Sequence, residues 1–352
     1  MLRIADTVKQ IQPIDQNIIQ RTQKRLDNLT KPLGSLGRLE ELAKQICGIS
    51  GKDSPSLKNK VIFTFAADHG VTDEKISPYP KEVTAQMVYN FIAGGAGINV
   101  LARHAGARVV VADLGVASDL TPHPELVIKK INYGTQNIAK GPAMTKAEAI
   151  RSIEAGIEIF ENEYKKGIDI AGTGEMGIGN TTASSAITAC LTGTAVEELT
   201  GRGAGLDDKG LQNKINIIKK AIAVNKPNPL CAIDTLYKIG GFEIGGLAGM
   251  ILAAASHKVP VVIDGFISGA AALIAYHIEP KSKDYMIASH SSIERGHKVI
   301  LDHIGLRPLF NFDLRLGEGT GAALGISVAD AAIKILTEMA TFESAKVSNR
   351  EG

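Results

Sequence analysis

Two glutamates stand beside glycines, and one of them sits in a stretch suited to holding phosphate. Glu318 occupies Gly317-Glu318-Gly319, and Glu175 occupies Gly174-Glu175-Met176 within residues 168–182, I-D-I-A-G-T-G-E-M-G-I-G-N-T-T. The apolar run 168–171 has the length and composition of a buried parallel strand. Gly172, Gly174, Gly177 and Gly179 then break the pattern, and Asn180-Thr181-Thr182 opens an Ala/Ser-rich helix. Strand, glycine turn and helix start form an anion cradle: the free N–H groups of the first turn point outward, and glycine lets a ligand approach them. A carboxylate inside such a cradle repels phosphate, so Glu175 is expected to face the rest of the ligand. On this stretch alone, tight packing with no ligand is the alternative. Glu318 has little steric cover, and a helix beginning near Thr320 brings a positive dipole end beside it; its alternative is an ordinary helix-start residue. Together the two carboxylates suggest acid/base work near a phosphorylated substrate. Burial would raise the pKa of Glu318 and a helix dipole would lower it, and the sequence leaves the outcome open.

Other candidates end expected strands: Asp68-His69, Asp264 and Ser289-His290. Ligands of open parallel sheets bind outside those carboxyl ends. Each residue has a structural alternative. Asp68 and Asp264 could cap helices, and His69, His290 and His297 could be packed core histidines, the reading favoured for His297. Asp207-Asp208 is explained by N-capping of the helix that follows. Several patterns are missing: a G-x-x-x-x-G-K-[ST] phosphate loop, a G-x-S-x-G elbow, and an acidic run suited to Mg²⁺ against a pyrophosphate. Gly95-Ala96-Gly97-Ile98-Asn99-Val100 fails the dinucleotide fingerprint at its third glycine.

Composition narrows the class. The 352 residues are 44% hydrophobic and 22% charged with a net charge of +2, as expected for a soluble globular protein without the basic stripe of a nucleic-acid binder. Tryptophan is absent and aromatics are few, which disfavours base-stacking platforms. Cys47, Cys190 and Cys231 have neither disulfide nor zinc spacing. No signal-peptide core or run of transmembrane length is visible, so a cytoplasmic protein without membrane contact is expected.

Periodicity divides the chain. Helices are expected over 14–29 and 38–46, either side of the turn-rich loop 30–37. From Lys60 the rhythm becomes strand then helix, with strands at 61–67, 108–113, 126–131, 168–171, 259–263 and 285–288. Helices are expected at 82–101 with a glycine break, 145–166, 180–191, 211–225, on either side of the glycine-rich 240–249, and 320–339; the tail 344–352 should fray. The fold class is α/β: a Rossmann-like, mainly parallel sheet covered by helices on both faces, with a small helical subdomain from the two chain ends. The expected domains are 57–312 (large, catalytic) and 1–56 with 313–352 (small, helical).

These segments resemble the nicotinate-nucleotide–dimethylbenzimidazole phosphoribosyltransferase family of cobalamin nucleotide-loop assembly. The stretches that carry the resemblance run in order along nearly the whole chain. They are Lys31-Pro-Leu-Gly-Ser-Leu-Gly-Arg-Leu-Glu40, Ala67-Asp-His-Gly-Val71, Glu82-Val-Thr-Ala-Gln-Met87 and Gly174-Glu-Met-Gly-Ile-Gly-Asn-Thr-Thr182. They continue with Gly201-Arg-Gly-Ala-Gly-Leu-Asp-Asp208, Gly240-Gly-Phe-Glu-Ile-Gly245, Asp264-Gly-Phe266, Ser289-His290 and Arg315-Leu-Gly-Glu-Gly-Thr-Gly-Ala-Ala-Leu324. The resemblance implies transfer of phosphoribose from nicotinate mononucleotide to 5,6-dimethylbenzimidazole or a related base, by a homodimer with no cofactor and no metal. It implies that Glu318 is the catalytic base and Glu175 the second acid. It places Gly177, Ile178, Gly179, Asn180, Thr181, Gly203, Lys214, Ser292, Arg315 and Gly317 around the nucleotide and its phosphate. Gln86, Met176 and Leu316 would hold the aromatic base. Two rival readings use the same carboxylates: a hydrolase with water as nucleophile, and a non-catalytic nucleotide-binding module.

Overall fold

A computed structural model describes residues 2–348. Six strands, β1 (Lys60–Ala67), β2 (Ala107–Gly115), β3 (Leu126–Ile128), β4 (Ile170–Met176), β5 (Val261–Ile263) and β6 (Met286–Ala288), form one sheet in the order β3-β2-β1-β4-β5-β6. All five neighbouring pairs are parallel. The strand order reverses between β1 and β4, so their carboxyl ends splay and open the crevice where a ligand fits. Phe65 is in register with Glu175 across that seam.

β1 is buried on both faces, which its unbroken apolar sequence requires. Val61, Phe63 and Phe65 point into one core, with the helices Lys146–Tyr164 and Phe242–Ser256; Ile62 and Ala66 point into the other, with Arg38–Ser50, Gly97–Ala105 and Thr320–Glu338. Each fully buried phenylalanine contributes about 1.5–3 kcal/mol. Gly245, Gly246 and Gly249 lie inside the helix Phe242–Ser256 rather than between two helices as expected, because this helix crosses Lys146–Tyr164 so closely that a Cβ on Gly156 would overlap Gly246 O.

The larger correction concerns β4. The expected strand stopped at Ala171, but the observed one runs to Met176, so Gly172 and Gly174 are strand residues and not part of the turn. The reason is packing. A Cβ on Gly172 would stand 3.1 Å from Ala322 Cβ, and one on Gly174 would collide with Glu318 O. The expected strand 126–131 shortens to Leu126–Ile128, and the expected helix 82–101 is two helices, Val83–Ile92 and Gly97–Ala105.

The chain ends meet. Asp15 Oδ1 caps the helix Gln16–Asp27 by accepting from Asn17 N and Ile18 N. Thr30 N donates to Ala340 O (3.0 Å), and Leu29 pairs with Thr341 in an antiparallel bridge. The loop between Gln16–Asp27 and Arg38–Ser50 is braced by a buried Lys31–Glu40 ion pair at 2.8 Å. The helix Thr320–Glu338 is long and apolar enough to cross a membrane by length and composition, contrary to the expectation of no such run. Here it packs on β4 and β5 as a core helix. Of the tail expected to fray, Ser344 and Ala345 belong to the helical turn Phe342–Ala345, and residues 349–352 lie outside the described residues.

Candidate active site

Glu318 is held in a conformation that needs support from all around it. Gly317, Glu318 and Gly319 take φ values of 83°, 64° and 100°, three left-handed residues in a row. For a non-glycine residue this costs on the order of 1–3 kcal/mol and persists only when the surroundings impose it. They do so here. Thr64 Oγ1 donates to Glu318 O (2.9 Å); Gly319 N and Ala322 N donate to the two oxygens of Asp264 (3.2 and 3.0 Å). Asp264 is thus a cap for the helix Thr320–Glu338 and a clamp on the turn.

The turn delivers the Glu318 side chain to a different helix from the one anticipated. Its Oε2 accepts from Ile98 N (3.1 Å), in the first turn of Gly97–Ala105. Burial raises the Glu318 pKa above the ordinary range, and the Ile98 amide only partly opposes it. Burial therefore wins the contest that the sequence left open. A carboxylate with a raised pKa is a stronger base than an exposed one.

Glu175 closes the carboxyl end of β4. Asn180 Nδ2 donates to its Oε2, and its Oε1 occupies the space that a Cβ on Gly317 would need. Burial, then the charges of Asp264 and Glu243, push its pKa up to about 8; Asn180 opposes, and Glu318 adds to the rise. At neutral pH Glu175 is therefore largely a neutral carboxyl group. Asp264 is pushed up to about 7 by burial, against four backbone amides. A carboxyl whose folded pKa exceeds its unfolded value stabilises the fold at low pH and loses that contribution as pH rises through the folded value. Buried neutral His290 and His297 act in the opposite sense below about pH 6.5, so the Glu175 part is read as a difference: between pH 5 and 8 the Tm of the wild type should drop relative to that of Glu175→Gln. Thermal melts of both proteins across this range check it; parallel curves would contradict it.

The second corner gathers four loops. Lys214, on the helix Asp208–Asn225, is 1% exposed, and its Nζ donates to Thr181 Oγ1 (2.7 Å). A Cβ on Gly203 would lie 3.2 Å from both Lys214 Nζ and Thr181 Oγ1. Arg315 Nη1 donates to Gly203 O (3.0 Å), and Ser292 Oγ donates to Leu314 O (3.0 Å). Burial lowers the Lys214 pKa to about 8, with Glu294 opposing, and among the described residues no carboxylate lies within 4.0 Å of the ammonium. A buried cation without a partner is costly, so an anion bound here would be strongly favoured.

The glycine turn joins the two corners, but not all of its amides are open. Ile178 N donates to Thr84 Oγ1 (3.1 Å) and Asn180 N to Gly177 O (3.1 Å). Met176 is half-buried at the end of β4, while Gln86 and Leu316 are exposed. A Cβ on Gly97 would stand 2.9 Å from Leu316 Cδ2 and 3.3 Å from Glu318 Oε2, which puts Leu316 beside the carboxylate. His297 accepts from Ser292 N through Nδ1 (3.1 Å), a packed structural histidine with its pKa lowered to about 3 by burial. His290 contacts Ser289 Oγ (3.0 Å) and is lowered to about 4, again by burial. Asp207 caps its helix through Gly210 N (2.7 Å). Sequence reasoning gave no role to Thr64, Thr84, Glu243 or Glu294. The partners of the Thr64, Thr84 and Glu243 side chains lie 254, 94 and 174 residues away, and Glu294 acts on Lys214 only through its charge, so no local pattern could have marked them. Among the described residues no group of three or more His, Cys, Asp or Glu side chains could hold a metal ion.

Comparisons with known proteins agree along nearly the whole chain. The profile of a family described as phosphoribosyltransferase matches residues 11–347. A nicotinate-nucleotide–dimethylbenzimidazole phosphoribosyltransferase from Desulforudis audaxviator is 57% identical over 342 residues, 97% of each chain, and one from Geobacter sulfurreducens is 52% identical over 348 residues, 99% of each. Among solved structures, CobT from Thermus thermophilus superposes with a TM-score of 0.92 at 42% identity, covering 95% of this chain and 100% of that one.

Proposed function

The chain belongs to the nicotinate-nucleotide–dimethylbenzimidazole phosphoribosyltransferase family, and from that premise we propose that it moves 5-phosphoribose from nicotinate mononucleotide to 5,6-dimethylbenzimidazole or a related base in cobalamin synthesis. The products are α-ribazole 5′-phosphate and nicotinate. The observation that carries this reading is Glu318, a buried base fixed in a strained turn at the switch point of the sheet.

In this reading the 5′-phosphate lies against Lys214, Thr181 and Gly203, with Arg315 and Ser292 fixing the loops around it. The ribose then spans the carboxyl ends of β1 and β4 towards the two glutamates. The benzimidazole, held by Met176, Leu316 and Gln86, attacks C1′ with the lone pair of one ring nitrogen. The C1′–N bond to the pyridinium breaks, its electron pair returns to that ring, and nicotinate departs. The proton on the other benzimidazole nitrogen passes to Glu318. Attack opposite the leaving ring inverts C1′ and gives the α-linked product. Glu175, largely neutral in the free protein, loses its proton to solvent as the cationic pyridinium binds, because a nearby positive charge favours its ionised form; the carboxylate then stabilises the developing oxocarbenium.

The hydrolase reading requires a polar acceptor pocket, whereas the side chain beside the Glu318 carboxylate across Gly97 is the apolar Leu316. The proposal extends to a cytoplasmic homodimer. Support comes from three free cysteines and from Phe312 and Leu316, which are 63% and 60% exposed next to the site. We also propose that the described parts of 1–56 and 313–352 act as one helical unit, on the strength of the hydrogen bonds between the two chain ends.

Transfer is expected to need no divalent metal. A pyrophosphate leaving group is a polyanion that a metal must neutralise, but a pyridinium loses its charge on departure and a cation beside it would hinder. Nicotinate release should depend on added base and keep its full rate after dialysis against EDTA. Release without base, or a loss that Mg²⁺ or Mn²⁺ restores, would contradict the mechanism.

A further inference from the structure

Two sequence motifs have no part in the reaction described so far, yet the fold brings them together beneath the glycine turn. His69 lies just past β1 and Glu243 in the first turn of Phe242–Ser256, 174 residues apart. His69 Nε2 and Glu243 Oε1 are 2.6 Å apart, and neither side chain is more than 1% exposed. His69 shares the floor of the turn with Ala67 O and Thr72: a Cβ on Gly177 would collide with Ala67 O and lie 3.4 Å from His69 Cδ2, and one on Gly179 would lie 3.1 Å from Thr72 Cγ2 and 3.4 Å from His69 Cβ. Gly241 wraps the far side, where a Cβ would stand 2.5 Å from His69 Cε1 and 2.6 Å from Glu243 Oε2. With both sides filled, the ring has no room to swing.

We propose that His69 and Glu243 are a positioning pair that sets the height of the glycine turn, and through Asn180 the placement of Glu175. This rests on the transferase reading above. The turn is already tied on its other sides by Thr84 Oγ1 to Ile178 N and by Gly177 O to Asn180 N, so His69 completes its support. Asn180, the first residue past the turn, passes any displacement directly to Glu175 Oε2.

Stability alone is a poor reason to keep this pair. Glu243 Oε2 is buried without a hydrogen-bond partner, and an apolar pair of similar volume would avoid that desolvation cost. Burial pushes the His69 pKa down, but the charge and hydrogen bond of Glu243, with Asp68 adding, turn the net shift upward, and the short Nε2–Oε1 contact ties the ring to its partner. Glu243 also counts among the charges that push Glu175 up. The groups that couple to the pair are thus Asp68 from β1's end and Glu175 from β4.

The test is steady-state kinetics of Glu243→Ala and Glu243→Gln with both substrates. Misplacing the turn should lower kcat/KM for nicotinate mononucleotide by ~10–100-fold in Glu243→Ala, while KM for the base stays within about twofold because Gln86 and Leu316 lie on other segments. Glu243→Gln keeps the acceptor for His69 Nε2 and should recover most of the loss. Equal changes in both KM values, or a glutamine variant as impaired as the alanine one, would mean a merely structural role and overturn the proposal. Should Glu243→Ala fail to fold, His69→Gln read the same way decides, since its amide can still donate towards Glu243. A wild-type protein that does not turn over nicotinate mononucleotide fails the parent reading instead, and this proposal with it.

Discussion

Glu318→Gln is expected to lower kcat by ~10²–10⁴-fold while nicotinate mononucleotide still binds at close to wild-type affinity. The amide is nearly isosteric, and Gln keeps an oxygen for Ile98 N, so the strained turn held by Thr64 and Asp264 should persist. Only the ability to take the benzimidazole proton is lost. The loss should therefore fall on kcat rather than on the nucleotide KM. Titration of the variant with the nucleotide, beside its turnover, separates the two. Near-normal turnover would remove Glu318 from the mechanism. A pure binding module would show no turnover in the wild type either.

Lys214→Ala should raise KM for the nucleotide by ~10–100-fold, the range of a lost charge-assisted hydrogen bond, and leave KM for the base nearly unchanged. A solvated helix lysine would give no change in either, but this ammonium is buried against Thr181 with no carboxylate at ion-pair distance among the described residues. Lys214→Met fills much the same space without charge. It should reproduce the kinetic defect while leaving the fold at least as stable, because an uncompensated buried cation is removed. Equal KM changes for the two substrates would point to collapse of the pocket instead.

The family and the α/β class were legible because they depend on order and composition: β-branched runs alternate with helical periods, and long motifs keep their sequence along the chain. The position of Glu318 in the chain was also readable, since Gly-Glu-Gly at a helix start is a local pattern. Its environment was not. The amide that meets its carboxylate belongs to Ile98, 220 residues away, and the clamp on its turn comes from Asp264. Gly172 and Gly174 read as a turn because glycine in sequence signals freedom, whereas here it signals another chain segment pressed against the strand. The order of strands was equally hidden. Nothing in the spacing of 61–67 and 168–171 says that β4 lies beside β1 with β2 on the other side, and that placement makes the crevice. Polar residues such as Thr84 and Glu243 carry no signature of their own, because a hydroxyl or carboxylate gains its role from a partner that folding supplies.

The most direct measurement of the central claim is the anomeric configuration of the product. Nicotinate mononucleotide carries its pyridinium on the β face of C1′, and a single displacement with Glu318 as base inverts that carbon. Proton NMR of the reaction with 5,6-dimethylbenzimidazole should show one product, the α-linked ribazole 5′-phosphate, equimolar with nicotinate. A β-linked product would require a second displacement, and ribose 5-phosphate would mean that water is the acceptor; either result would contradict the account.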